Sequence, residues 1–205
     1  MEMEPRTDDR EGKRRTLSYS QVFDLSHPLT PGKFNHPGTH IEVPNSLLRD
    51  GFDLADLPVE KLVSPALLLD MGHPPPGYTI TCKQVIAAAK EAGGVQEGDM
   101  VFLRTGWDRA YGREEYLKSP GVDVCSIKWL STQGMSLLGI DSAGVENPSS
   151  TEHECHLALF THGIPLIENL ARLDQIGSPR RFTAVVAPIA IHGLEAIPAR
   201  VLALL

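Results

Sequence analysis

The stretch TCKQVIAAAKEAGGVQEGDMVFLR, residues 81–104, sets the structural character of the chain. Thr81 and Gln84 have the spacing of a capping box, in which each side chain satisfies a backbone N–H left open by the first helical turn. Val85, Ile86, Ala88 and Ala89 supply the apolar side of the helix, and Gly93-Gly94 stop it. Gly98-Asp99 then turns the chain into residues 100–104, an apolar run that reads as a central strand. A helix delivering a buried strand is the unit of an α/β fold.

Working outward, a strand is expected at 22–25, followed by a loop at 26–32 broken by Pro28, Pro31 and Gly32. Residues 39–43 alternate, with Thr39, Ile41 and Val43 on one face and His40 and Glu42 on the other. Residues 62–69 read as a buried strand. The Pro74-Pro75-Pro76 run after it excludes helix and central strand. Beyond residue 104, Ile127, Trp129 and Leu130 form the stripe of a helix over about 124–133. A strand at 137–140 ends at Asp141. Ser149 and Glu152 have capping-box spacing and predict a helix running to about Thr161 and Gly163. Further strands are expected at 164–167, 182–187 and 201–205. The pattern lacks the strict alternation of a doubly wound sheet. It predicts one mixed α/β (α+β) domain over 17–205, a mixed β-sheet flanked by helices. Residues 1–16 are dense in charge and poor in apolar residues, and are expected to be a disordered tail.

Composition excludes several classes. The 205 residues fit one domain, and a formal charge of −7 argues against a general nucleic-acid binder. No apolar run approaches the roughly 20 residues of a membrane span. Cys82, Cys125 and Cys155 are odd in number and widely spaced, so no disulfide framework is expected, and a reducing, cytoplasmic setting is favoured. Cys155 beside His156 does not make a nucleophile and base, because adjacent helical residues point about 100° apart. A buried thiol is expected instead. No glycine-rich stretch has the pattern of a phosphate loop.

The richest segment for chemistry is His36-Pro37-Gly38-Thr39-His40-Ile41-Glu42-Val43-Pro44. Pro37-Gly38 rules out a helix. On a strand, His40 and Glu42 stand two residues apart on one face, and the tight turn can bring His36 to the same point. Two imidazoles and a carboxylate suit Zn or Mn and leave positions open for water. Far along the chain, His153 and His156 stand at i, i+3 on the expected helix, and Glu168 follows the apolar run 164–167.

These residues bring a resemblance into view. His36-x-Gly-Thr-His40-x-Glu42-x-Pro44 resembles the signature of the cyclase family, which includes bacterial kynurenine formamidase and isatin hydrolase. Asp24-Leu25-Ser26-His27-Pro28, residues 101–107, Gly139-Ile140-Asp141, His156 through Glu168-Asn169-Leu170, and Pro198-x-Arg200 resemble further family segments in consistent order. The resemblance implies a cyclase-like fold and a metal-dependent hydrolase acting on C–N bonds. Its substrate would be a small amide, N-formyl compound or cyclic amide, attacked through a metal-activated water. It implies one or two divalent ions, with His36, His40, Glu42, His156 and Glu168 as ligands, and a homo-oligomer, dimer or tetramer. Trp107, Tyr111 and Phe34 are candidate pocket residues.

Two departures stand out. Glu42 replaces the signature's aspartate, the same ligand chemistry on a longer arm. Ser46 stands where the family has a final histidine tied to the second metal and to proton transfer. Glu42, Ser46 and His156 are therefore the residues on which catalysis turns, and His27, His153, His162 and His192 are candidates for a displaced base. The alternative is altered or lost catalysis on the same fold, with a lactone or dehydration substrate or a binding role.

Overall fold

The structure, a computed structural model, describes residues 19–28, 36–178 and 180–205. The expected tail, Phe34 and the latter part of the 26–32 loop lie outside these residues. The predicted helix forms as α1 (Cys82–Glu91) with both halves of its Thr81/Gln84 capping box in place. Val85 and Ala89, one turn apart, are buried, whereas Ile86, about 100° round the helix, is exposed. The helix turns a narrower stripe to the sheet than its sequence suggests.

The strands are β1 (Val22–Asp24), β2 (His40–Glu42), β3 (Val63–Asp70), β4 (Thr79–Ile80), β5 (Met100–Arg104) and β6 (Gly121–Val122). They continue as β7 (Leu137–Ile140), β8 (Leu166–Glu168), β9 (Arg181–Ala187), β10 (Ala196–Pro198) and β11 (Arg200–Leu204). Nine form one sheet in the order β1-β11-β9-β3-β5-β7-β8-β2-β10, and β4 pairs separately with β6. The steps β3–β5, β5–β7 and β7–β8 are parallel and the other pairings of the large sheet antiparallel. Each parallel step is bridged by a helix: α1, then α2 (Val124–Thr132), then α3 (Glu154–Phe160). Crossovers of one hand, stepping one way across a sheet, put their helices on the same face. Accordingly Val85, Ile127, Leu130 and Leu159 share one core with Leu69, Leu103, Leu138 and Leu166.

The opposite face closes on itself. β10 pairs with β2 at one end of the strand order, and one residue later β11 pairs with β9 and β1 at the other. Ala199, between them, donates its N–H to Thr39 O at 3.0 Å. Ile41 and Ile167 from one end thus share a second core with Val186, Val201 and Ala203 from the other. The mixed sheet is curled, and α1, α2 and α3 lie on its outside.

One expectation needs correction, and one strand was not foreseen. Ser149 and Glu152 do not form a capping box, and α3 starts at Glu154 with His153 as N-cap. Ser149 instead directs both its N–H and its hydroxyl to Asn147 Oδ1, at 2.9 and 2.6 Å. This local turn competes with helix initiation. β10 was not expected, because a three-residue strand ending in Pro198 has little sequence signal; it survives at the end of the order, where proline is tolerated. Among the described residues no helix is long and apolar enough to cross a membrane.

Asp141, at the end of β7, is fully buried. It accepts from Thr105 N at 2.6 Å, Thr105 Oγ1 at 2.7 Å and Gly106 N at 2.8 Å. Burial pushes its carboxyl up to about 6, against the lowering effect of those hydrogen bonds. The bonds tie β7 to the turn after β5, where Gly106 adopts φ +75°. Asp141→Asn puts an amide NH₂ opposite at least one of these donors. The expected loss is about 1–3 kcal/mol of stability, read as a lower urea midpoint; an unchanged midpoint would show that the turn is held by other contacts.

Candidate metal centre

The site is built by strand register. β2 runs antiparallel to β8 with His40 opposite Glu168 and Glu42 opposite Leu166. Ile41 points into the closed core, so the period of two sends His40 and Glu42 to the helix-bearing face. Glu168 shares that face with Leu166, which belongs to the helix-side core. The first turn of α3 brings His156 over them. The Pro37-Gly38 turn, with Gly38 at φ +63°, delivers His36 from the side.

The five side chains meet. His36 Nδ1 lies 2.8 Å from Glu42 Oε1 and 3.0 Å from His40 Nε2. His40 Nε2 is 3.0 Å from Glu42 Oε1 and 3.8 Å from Glu168 Oε2. His156 Nε2 is 3.7 Å from Glu42 Oε2 and 3.5 Å from Glu168 Oε1. Two donor groups result, His36-His40-Glu42 and Glu42-His156-Glu168, each with ligand atoms within 4.8 Å of one another. Glu42 belongs to both through different oxygens. His40, Glu42 and Glu168 are buried, whereas the His36 side chain remains 43% exposed.

Electrostatics favours a cation here. Burial would raise Glu42, but hydrogen bonds from His36 and His40 outweigh it and hold the carboxyl below the usual range. Burial, and then the charge of Glu42, push Glu168 up to about 7. Burial would lower His156, but the Glu146 carboxylate beside it, then Glu168, raise it to about 9. The Glu42 hydrogen bond raises His36 despite its partial burial. Two buried carboxylates flanked by imidazoles are a charge arrangement that a divalent ion neutralises. His40 Nδ1 lies 2.9 Å from Gly38 O, so this nitrogen carries a proton, and Nε2, 3.0 Å from Glu42 Oε1, is the ring nitrogen left to meet a metal. The donor set of three imidazoles and two carboxylates therefore fits a divalent metal ion.

The strand is held from behind. Thr39 Oγ1 donates to Asn169 O at 2.5 Å and accepts from His27 N at 2.8 Å. Asn169, at φ +57°, accepts at Oδ1 from Tyr116 OH at 2.9 Å. Glu146 escaped the sequence reading. Its Oε1 accepts from His156 N at 2.9 Å, and its Oε2 lies against His156 Nδ1. It sits in an irregular loop with no motif or spacing rule to mark it.

The other expected residues belong to neither of these two donor groups. Ser46 is half-buried in the single 3₁₀ turn Pro44–Ser46 after β2, and its side chain makes no hydrogen bond among the described residues. Of the candidate bases, His153 stands beside the cluster, its ring centroid 5.7 Å from that of His156. His27 stacks on Tyr111 at 3.8 Å, His162 bonds Ala158 O, and His192 is exposed near Asp53. Trp107 lines a cleft of about 400 Å³ with His73 and Arg104, and none of the five cluster residues lines that cleft. Cys155 is buried, and burial pushes its thiol up to about 12, which removes it as a nucleophile.

With this geometry in hand, the chain was compared with known proteins. The Cyclase family model matches residues 23–147. Kynurenine formamidase of Bacillus cereus is 26% identical over 167 residues, covering 80% of this chain and 74% of that protein. A solved structure described as a potential metal-dependent hydrolase with cyclase activity superposes with a TM-score of 0.75 at 26% identity, covering 90% of this chain and 97% of the other. Isatin hydrolase A of Labrenzia aggregata superposes at 0.79 with 21% identity, covering 90% and 93%, which is a likeness of fold. Over half of its length matches the family model, and the chain belongs to the Cyclase family.

Proposed function

We propose that this protein is a metal-dependent hydrolase of a small amide, N-formyl compound or cyclic amide. The observation that carries the reading is the convergence of His36, His40, Glu42, His156 and Glu168 from a turn, two strands and a helix into two adjoining donor groups that share Glu42. The names of the relatives, a formamidase and an isatin hydrolase, support C–N bond hydrolysis as the reaction.

His36, His40 and Glu42 would hold one ion, and Glu42, His156 and Glu168 would complete the site or hold a second. When bound, Zn or Mn would supply Lewis acidity, polarising the substrate carbonyl and acidifying water. The chain's own residues set the conditions for this. Gly38 O fixes the His40 tautomer, and Glu42 offers one oxygen to each donor group. The strands and α3 keep His40, Glu42 and Glu168 from bulk water, which strengthens every charge interaction among them. His153, exposed beside His156, is the candidate base best placed to exchange a proton with solvent.

The first test is metal content with activity on an N-formyl aromatic amide. Chelation should abolish turnover, and Zn or Mn should restore it; full activity in metal-free protein would overturn the reading. His40→Ala removes a ligand outright. It should cost more metal affinity than the roughly 10–100-fold typical of outer-shell changes, measured by competition with a chromophoric chelator. Binding equal to wild type would remove His40 from the site.

Ser46 supports a second reading, altered or lost catalysis, because this chain has a hydroxyl where the family has an imidazole. Comparing wild type with Ser46→His separates the two. Under the proposed function the wild type turns over measurably before the change. Activity present only in Ser46→His would favour the second reading.

A further inference from the structure

Glu146 turns both carboxylate oxygens to one histidine, one as a hydrogen-bond acceptor and one as an ion-pair partner. Oε1 accepts from the His156 backbone N–H at 2.9 Å, and Oε2 lies against Nδ1 of the same residue's ring. The Glu146 side chain is 14% exposed and that of His156 12%. An ionised carboxylate can only accept hydrogen bonds. Paired with the carboxylate, Nδ1 is the ring nitrogen that keeps its proton when a metal binds, which leaves Nε2, on the far side of the ring, 3.7 Å from Glu42 Oε2 and 3.5 Å from Glu168 Oε1, to act as the ligand atom.

The loop bearing Glu146 is itself fixed. Val122 N donates to Val145 O at 2.9 Å, tying the loop to β6. Gly121 lies so close that an added Cβ would meet Glu146 C at 2.1 Å. Val145 N donates to Glu168 Oε1 at 3.0 Å. Two consecutive loop residues thus restrain two members of the cluster, Val145 through its backbone and Glu146 through its side chain.

We propose that Glu146 is a positioning residue: it locks the ring and tautomer of His156 so that Nε2 faces the Glu42–Glu168 side of the centre. The proposal rests on the metal-centre reading above and adds an outer partner to it. Glu146 also lies with His153 and His156 in a third group of close ligand atoms. His153 is exposed and Nδ1 of His156 is already engaged by the carboxylate, so Glu146 acts as support and not as a ligand. Such partners orient ligating histidines and raise their basicity.

Glu146→Gln is the informative variant. A glutamine has one acceptor; if it serves the His156 N–H, its NH₂ faces Nδ1 and drives the proton to Nε2, the wrong nitrogen. The test is Zn²⁺ titration of demetallated full-length protein against a chromophoric chelator, with the Co²⁺ absorption spectrum as a second readout. Glu146→Gln should weaken Zn²⁺ binding by about 10–100-fold and shift the Co²⁺ bands, while the circular-dichroism spectrum of the metal-free protein stays that of wild type. Glu146→Asp, which keeps an acceptor-only group, should recover most of the affinity, and His153→Ala should stay within about twofold of wild type. Wild-type affinity and spectrum in Glu146→Gln, with binding lost in Glu42→Gln, would overturn this proposal alone. An equal loss in His153→Ala would also overturn it, by making Glu146 a ligand of a separate site. If wild type binds no divalent ion, the metal-centre reading fails and this proposal with it.

Discussion

The antiparallel pairing of β2 with β8 is the constraint on which the site depends. It sets His40 directly across from Glu168, with Glu42 two residues on along the same face. Side chains alternate along a strand, so a slip of one residue would turn His40 and Glu42 into the closed apolar core and Ile41 toward the helices. That alternative sets two polar groups among apolar side chains without partners and puts an apolar side chain against the carboxylates and imidazoles. The apolar inward face of β2 and the polar outward face therefore specify the register together. The Thr39 hydroxyl, which joins β2 to the Asn169 backbone on the side away from the cluster, reinforces the same pairing.

The curl of the sheet explains how this strand can be central to the chemistry and yet lie near the end of the strand order. β10 and β11 are separated by one residue and pair at opposite ends, so β2 has neighbours on both sides. Helices are needed only on the outer face, and α3 covers the stretch of that face where the carboxylates lie. Placing the N-terminal turn of α3 there, after the parallel strand β7, follows the rule that sites in such sheets form at the carboxyl ends of parallel strands. The loop between β7 and α3 then has a second task, since Val145 and Glu146 reach Glu168 and His156 from it.

Local rules succeeded where the signal was carried by neighbours in the chain. The Thr81/Gln84 capping box, the alternation of residues 39–43 and the apolar run at 100–104 each describe a segment that satisfies itself before tertiary structure is considered. They failed at Ser149, where a serine with correct cap spacing found a nearer partner in Asn147. They failed also at β10, whose three residues have strand character only because β2 offers an edge.

The sequence by itself determined the polar face of β2, the helix-strand units, and, through spacing and family resemblance, the five residues of the cluster. The chemistry of imidazole and carboxylate side chains is written in their identity, and strand periodicity tells which of them share a face. Tertiary structure alone decided that His156 comes within 4 Å of both Glu42 and Glu168, that Glu42 serves both donor groups, and that Glu146 backs His156. Those contacts join residues 10 to more than 100 positions apart, or depend on which oxygen of one carboxylate faces which neighbour. No local pattern encodes such distances, because they are set by how the sheet curls and where α3 settles on it.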